Sequence, residues 1–215
     1  TEHFNCEPPV IAIRETSDTD FEGATQIFIF MKGHPNLFAV TTATLDQLNL
    51  SIQDARIMTS NNRNAVDTYI VLDENGDSIG NDIARIEQIK NTLTKALSTP
   101  EEYNNVIQRR TSRQLKHFQV PTQVTLSNDP VMKRTLVEVI AADRPGLLAR
   151  MGEFFMTHDL LMHSAKIMTE GERISDIFFI SDSDDNPISD PDLCLLIQEG
   201  ICKVLDQQVE AQQQV

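Results

Sequence analysis

The chain has 215 residues, of which 40% are hydrophobic and 23% are charged, a composition typical of globular proteins and not of disordered ones. Its formal net charge of −14 argues against a nucleic-acid-binding surface, and the absence of an apolar run of about 20 residues argues against a membrane span. Three cysteines and five scattered histidines give neither a disulfide framework nor metal-ligand spacing, so we expect no metal or other cofactor in this chain and a reducing, cytoplasmic environment.

The first half of the chain predicts a leading strand, then a strand, a helix, two strands and a helix. Short β-prone runs predict strands over residues 10–13 and 25–31. A turn containing Pro35 then leads into a helix, and strands over residues 50–59 and 65–72 flank an Asn-rich turn. The helices are expected to bury these stripes: Leu37, Thr41, Thr44, Leu45 and Leu48 in the first, and Ile83, Ile86, Ile89, Leu93 and Leu97 in the second.

A basic cluster separates the two halves of the chain. Arg109, Arg110, Arg113 and Lys116 fall within eight residues of an otherwise acidic sequence. One interpretation is the solvated face of a connecting helix. The other is a surface that docks against an acidic partner or a sibling domain.

The second half repeats the first about 110 residues later. Strands are predicted over residues 122–126, 135–140, 160–169 and 173–181, and residues 160–169 align with residues 50–59 without a gap. The helical stripes comprise Leu147, Leu148, Met151, Phe154, Phe155 and His158, and then Cys194, Ile197, Ile201, Val204 and Leu205. Asp190 is the expected cap of the last helix. A repeat of this length indicates duplication of a whole domain.

The order β-α-β-β-α in each copy is one strand short of the ferredoxin-like unit. The strand before each copy can fill the fourth-strand slot beside the strand of residues 25–31 or 135–140. Pairing within a copy would be a circular permutation, pairing across copies would braid the halves, and the sequence leaves both open. We predict an α+β protein with two ferredoxin-like domains, residues 1–98 and 118–215, joined by a basic connecting segment over residues 99–117.

No sequence motif indicates a catalytic residue, but one turn indicates a ligand site. It joins the first strand and first helix of the second copy, at Asp143-Arg144-Pro145-Gly146-Leu147-Leu148. Glycine lets a ligand approach the main chain closely, and the first N–H groups of the helix attract a carboxylate. The alternative is an ordinary helix start that Asp143 caps.

A ligand at this turn needs a facing surface, which we expect from an edge strand of another copy. The candidate residues on such strands are Gln53 and Asp54 in one copy, and Ser164, Ala165 and Lys166 in the other. The corresponding turn of the first copy contributes His34, Asn36 and Leu37, with Asn36 in place of the glycine.

The residues 143–148, followed by Ala165-Lys166-Ile167 and Thr169-x-Gly171-Glu172-Arg173, resemble the ACT domain. Together with Pro35-Asn36-Leu37-Phe38-Ala39 and the segment Phe118-x-Val120-Pro121, they resemble the tandem ACT domains of the bifunctional PII uridylyltransferase/uridylyl-removing family. The likeness covers roughly residues 24 to 208. The start at Thr1 is consistent with a piece of a longer protein.

The resemblance implies a C-terminal regulatory tail that binds L-glutamine and controls the catalytic domains of its parent chain. Those domains, which are Mg or Mn dependent in the family, add UMP to the PII signal protein and remove it; their motifs do not occur in these residues. The resemblance also allows a homodimer formed by ACT pairing. Two alternatives stay open: a stand-alone tandem-ACT regulator, and a dimerisation or docking module with a vestigial ligand site.

Overall fold

The computed structural model describes residues 9–16, 21, 23–33, 37–59, 64–99, 121–144, 146–170 and 173–212. The elements of the first half are β1 (Val10–Glu15), β2 (Thr25–Lys32), α1 (Leu37–Gln47), β3 (Ser51–Thr59), β4 (Asn64–Leu72) and α2 (Ile83–Ser98). Those of the second half are β5 (Gln123–Asp129), β6 (Arg134–Ala142), α3 (Leu147–Thr157), β7 (Leu161–Glu170), β8 (Arg173–Ser181) and α4 (Pro191–Gln212). The basic cluster at 109–116 lies outside the described residues.

All eight strands form one antiparallel sheet in the order β1-β2-β4-β3-β7-β8-β6-β5. Both leading strands pair within their own copy, β1 with β2 and β5 with β6. Each half therefore has the strand arrangement of a ferredoxin-like unit, with the leading strand in the fourth-strand slot. The predicted α+β class with two ferredoxin-like halves is confirmed, and the alternative of braided halves is wrong.

The two halves join through their middle strands, β3 and β7. Arg56 lies opposite Lys166, Ala55 opposite Ile167 and Ile57 opposite Ala165. Arg56 and Lys166 are equivalent positions of the two copies, and the residue before Arg56 pairs with the residue after Lys166, and vice versa. A pseudo-twofold axis therefore passes through the Arg56–Lys166 pair. The expectation that these are edge strands is wrong: each is paired on both sides, at the centre of the sheet.

The four helices form one layer over one face of the sheet, with α1 packed against α2 and α3, and α3 packed against α4. Because α1 lies inside this layer, the predicted stripe underestimates its burial: every residue from Leu37 to Leu45 is buried. The crossing of α1 and α3 is close at Gly152, where a Cβ atom would stand 2.7 Å from the Cβ of Ala39. The outer helices are less covered, and Ile83, predicted to be buried, is 76% exposed.

Equivalent residues end the first helix of each copy. Asn49 and Asp159 adopt φ values of 54° and 53°, in the left-handed region that Asn and Asp tolerate best after glycine. Their N–H groups donate to the carbonyls of Asp46 and Met156, closing the last turn of α1 and α3. At the other end of the chain, the Asp190 carboxylate accepts a hydrogen bond from the N–H of Asp192, as expected of a cap for α4.

A candidate ligand site between the two copies

The start of α3 is an uncapped helix N-terminus. Gly146 occupies the N-cap position with φ 74° and ψ 5°, and no side chain caps the helix there. The N–H of Leu147 donates to the carbonyl of Arg144 at 3.2 Å, and the first N–H groups of a helix have no acceptor within the helix itself. Such a terminus, with the positive end of the helix dipole, suits a carboxylate.

The first copy closes this site through the end of α1 and the beginning of β3. A Cβ atom on Gly146 would stand 3.8 Å from Oδ2 of Asp46, near the last turn of α1. Thr169 at the end of β7 donates to the carbonyl of Ile52 at 3.1 Å, tying the same end of the sheet together across the copies. The turn of the second copy therefore lies close to the end of α1 in the first copy, and not to the strand residues that the sequence suggested.

A buried carboxyl group lies in the sheet beneath each copy's helices. Asp176 on β8 is 1% exposed; its Oδ1 accepts from the Met168 N–H at 3.2 Å, and its Oδ2 has no partner among the described residues. Burial, with a smaller contribution from the nearby charge of Asp143, raises its pKa to about 8, although the hydrogen bond from Met168 acts in the opposite direction. The repeat counterpart, Asp67 on β4, is fully buried, and burial raises its pKa to about 7.

Asp67 differs from Asp176 in its surroundings. The Tyr69 hydroxyl lies beside Asp67 and the Thr41 hydroxyl beside Tyr69, and burial raises the pKa of Tyr69 well above its ordinary value. None of the oxygens in this group meets hydrogen-bond geometry with a described residue. In the second copy, Phe178 and Met151 replace the tyrosine and the threonine, so Asp176 has no hydroxyl beside it from these two positions.

The relatives of this chain share one name. It is 52% identical over 211 residues to the bifunctional uridylyltransferase/uridylyl-removing enzyme of Stutzerimonas stutzeri (strain A1501), a match that covers 98% of the chain. It is 52% identical over 197 residues to the enzyme of that name from Pseudomonas putida (strain GB-1), and 50% identical over 204 residues to that of Azotobacter vinelandii; these matches cover 92% and 95% of the chain. The chain is homologous to these enzymes.

The homology to the bifunctional uridylyltransferase/uridylyl-removing enzymes extends over only part of their length. The chain, with its two ferredoxin-like halves, spans 22–23% of the length of each enzyme. No protein-family model matches the chain. Among solved structures, aspartate kinase from Synechocystis matches with a TM-score of 0.40 and 16% identity, covering 91% of this chain and 29% of that one, a likeness too low to support a conclusion.

The structure distributes the predicted site residues over several places. Asp143 and Gly146 lie at the start of α3, with Leu147 buried and Leu148 half-buried in its first turn. The Arg144 side chain points to α4 instead, where its Nη1 donates to the Leu205 carbonyl at 2.9 Å. Arg144 therefore anchors α4, a role that the sequence did not indicate.

The predicted residues of β7 do not face the turn. Ser164 and Lys166 alternate with the buried Ala165, so they lie on the sheet face opposite the helices. Lys166 is exposed there, beside Arg56 on the neighbouring strand. The expectation that these three residues line a site with the loop is not met, because β7 is a central strand whose helix-side positions are filled by the core.

The first copy's predicted residues are also dispersed. The Gln53 side chain donates to the Ser51 hydroxyl at 2.9 Å, and Asp54 forms an ion pair of 3.7 Å with Arg56. Leu37 is the buried first residue of α1. His34 and Asn36 lie outside the described residues, so the turn of the first copy stays a prediction.

Two acidic residues, Asp46 beside the turn and Asp176 buried in the sheet, were missed by sequence reasoning. A signal for Asp176 was present: an aspartate occurs at the buried phase of an apolar strand in both copies. Asp46 gave no such signal, because its position depends on how α1 and α3 pack.

Within the described ranges, no cluster of His, Cys, Asp or Glu is arranged to hold a metal ion. Cys194 and Cys202 are free and half-buried, and Cys6 lies outside the described residues.

Among the described residues, no helix combines the length and apolar character required to cross a bilayer.

Proposed function

We propose that this chain is an amino-acid-sensing module that binds L-glutamine between its two ACT copies. The observation that carries the proposal is the uncapped start of α3, opened by the left-handed Gly146 and facing the α1 end of the other copy. A free amino acid brings a carboxylate for the helix N-terminus and an ammonium group for a nearby carboxylate.

The ligand's carboxylate would accept hydrogen bonds from the N–H groups of Gly146 and Leu148. The N–H of Leu147 is already engaged with the Arg144 carbonyl, so it is not assigned a role. Asp143, at the end of the strand that leads into the turn, would hold the ammonium group. An ion pair at a partly enclosed site contributes more than one on an open surface, because water screens it less.

The proposed role of binding is allosteric control of a longer enzyme. A ligand that touches α3 and the end of α1 contacts both copies, so it favours the arrangement of the pair that fits it best. In the longer protein, that preference would shift the balance between uridylylation and de-uridylylation of PII signal protein by the catalytic domains. A coupling free energy of a few kcal/mol, about 1–3, suffices for a 5- to 150-fold change.

Titration calorimetry of the chain against a panel of amino acids tests the proposal. We expect a saturable signal for L-glutamine at millimolar or lower concentration and weaker signals for L-alanine and L-glutamate. A flat trace for every amino acid in the panel would contradict amino-acid sensing. It would favour the alternative in which the chain is a docking module with a vestigial ligand site. In that case a substitution at Gly146 should change only the stability of the chain.

A further inference from the structure

The sheet face that the helices leave uncovered, here called the open face, carries apolar side chains. In an antiparallel sheet with one face in water, the outward positions are normally polar. On β2, however, Ile27 and Ile29 are buried under the helices while Phe28 and Phe30 alternate with them onto the open face, where Phe30 is 40% exposed. Met58, at the middle of this face, is 61% exposed. A strand that is apolar on both faces is typical of a sheet that is covered on both sides.

The apolar side chains of the open face form a row across the sheet. They lie in register on neighbouring strands, with a single serine between the two copies. The row comprises Val10, Phe30, Val66, Met58, Phe179 and Leu136. It crosses seven strands, or about 29 Å at about 4.8 Å per strand, which is wide enough for a docked surface.

A pair of positive charges lies beside this row at the centre of the open face. Arg56 and Lys166 are exposed and directly opposite each other on β3 and β7. Like charges in that arrangement destabilise a strand pair. The Asp54 carboxylate lies 3.7 Å from Arg56, whereas Lys166 forms no ion pair with any residue that the structure describes. The pair therefore favours an anionic group from another surface.

The open face is basic as a whole, although the chain has a formal net charge of −14. Over the described ranges, its basic residues are Arg14, Lys32, Arg56, Lys166 and Arg173, and its acidic residues are Asp54 and Glu138. Two copies of the chain joined centre to centre through this face would bring two Arg–Lys pairs together. The surface that complements this face in charge is acidic, and not a second copy.

We propose that the open face docks against an acidic, partly apolar surface in the rest of a longer protein. The chain spans only 22–23% of the length of its relatives, so a protein of their length has most of its polypeptide outside this chain. The inference rests on the part of the proposed function that places the chain in a longer enzyme, and not on glutamine binding. Because Arg56 and Lys166 belong to different copies, the docked surface contacts both and responds to a change in how they meet.

Methionine oxidation by dilute hydrogen peroxide, followed by mass spectrometry, tests the docking. Met132, in the turn between β5 and β6, is 56% exposed and is the internal control for Met58. In the chain alone, both should oxidise at similar rates. In the longer protein, we expect the rate at Met58 to fall at least tenfold and the rate at Met132 to change less than twofold. Oxidation of Met58 in the longer protein at the rate seen in the chain alone would refute the docking.

The chain alone also distinguishes a second copy as the occupant. If Met58 becomes protected in the chain alone as its concentration rises, the open face pairs with itself, and the proposed partner is wrong. Rates that are independent of concentration support the assignment to the longer protein.

The variant Lys166→Glu tests the role of the basic pair. It places a carboxylate opposite Arg56, so the strand pair gains an attraction and the fold is retained, which a melting curve checks. In the longer protein, this variant should restore most of the oxidation rate at Met58. Lys203→Glu, the same exchange at an exposed position of α4, is the matched control and should leave Met58 protected. Protection that persists in Lys166→Glu, or is lost equally in both variants, would refute the role of the pair.

The outcomes are independent of those for amino-acid sensing. A chain that gives flat calorimetric traces and a protected Met58 would lose the proposed glutamine site and keep the docking face. A chain that binds glutamine while Met58 oxidises equally fast in both proteins would keep the site and lose the docking face.

Discussion

Replacing Gly152 by alanine should push the two copies apart. In an ordinary helix interior, Gly→Ala stabilises by about 1 kcal/mol. Here the new Cβ would stand 2.7 Å from the Ala39 Cβ and 2.8 Å from the Ala39 Cα, well inside a normal carbon contact of about 3.5–4.0 Å. Overpacking of this kind costs about 1–3 kcal/mol, and we expect the upper part of that range, about 2–3 kcal/mol, because the contact includes the main chain of α1, which cannot rotate away as a side chain can. We therefore expect a net destabilisation of about 1–2 kcal/mol.

Urea unfolding followed by circular dichroism measures this change. With a slope of about 2 kcal/mol per molar urea, the midpoint should fall by about 0.5–1 M. Asn91→Ala, at an exposed position of α2, is the control and should raise the midpoint slightly, because only helix propensity changes there. A Gly152→Ala protein that is as stable as the unaltered chain, or more stable, would refute the close packing of α1 on α3.

Three further predictions test separate parts of the structure. Burial raises the pKa of Asp67 from 3.8 to about 7, so the folded chain holds this proton more tightly and its free energy of unfolding should fall as pH rises from 4 to 7. By pH 8 this loss amounts to at most about 4 kcal/mol, and Asp67→Asn should reduce it. If the free energy of unfolding changes by the same amount between pH 5 and pH 8 in the variant and in the unaltered chain, the prediction is contradicted. Gly146→Val should lose about 1–3 kcal/mol to backbone strain at its positive φ, whereas Gly146→Asn should lose less, as thermal melting will show. Deletion of residues 1–20 removes β1, including Ile11 and Ile13, which pack against the core, and leaves β2 without its outer partner, so the shortened chain should melt earlier; identical melting curves would mean that β1 adds nothing.

The strands and helices were predictable because local patterns determine them. Alternating or continuous apolar runs identified the strands, and apolar stripes at helical spacing identified the helices. The slot of the leading strands followed from counting strands in each copy. The joining of β3 to β7 was not predictable, because a strand paired on both sides and a strand at an edge carry the same alternation.

The site was predictable only where it depends on the main chain. A glycine directly before a predicted helix indicated the turn at which the structure has Gly146 in the left-handed region, at a helix start where it provides no side-chain cap. The direction of the Arg144 side chain depends on where α4 packs, and the place of Asp46 depends on the crossing of α1 and α3. Contacts of this kind join residues far apart in sequence, so no local pattern encodes them.

A crystal structure of the chain grown with saturating L-glutamine tests the central claim most directly. The account predicts one glutamine between the copies, with its α-carboxylate at hydrogen-bond distance, about 2.9 Å, from the N–H groups of Gly146 and Leu148. Density for glutamine on the opposite face of the sheet, or within one copy alone, would contradict it.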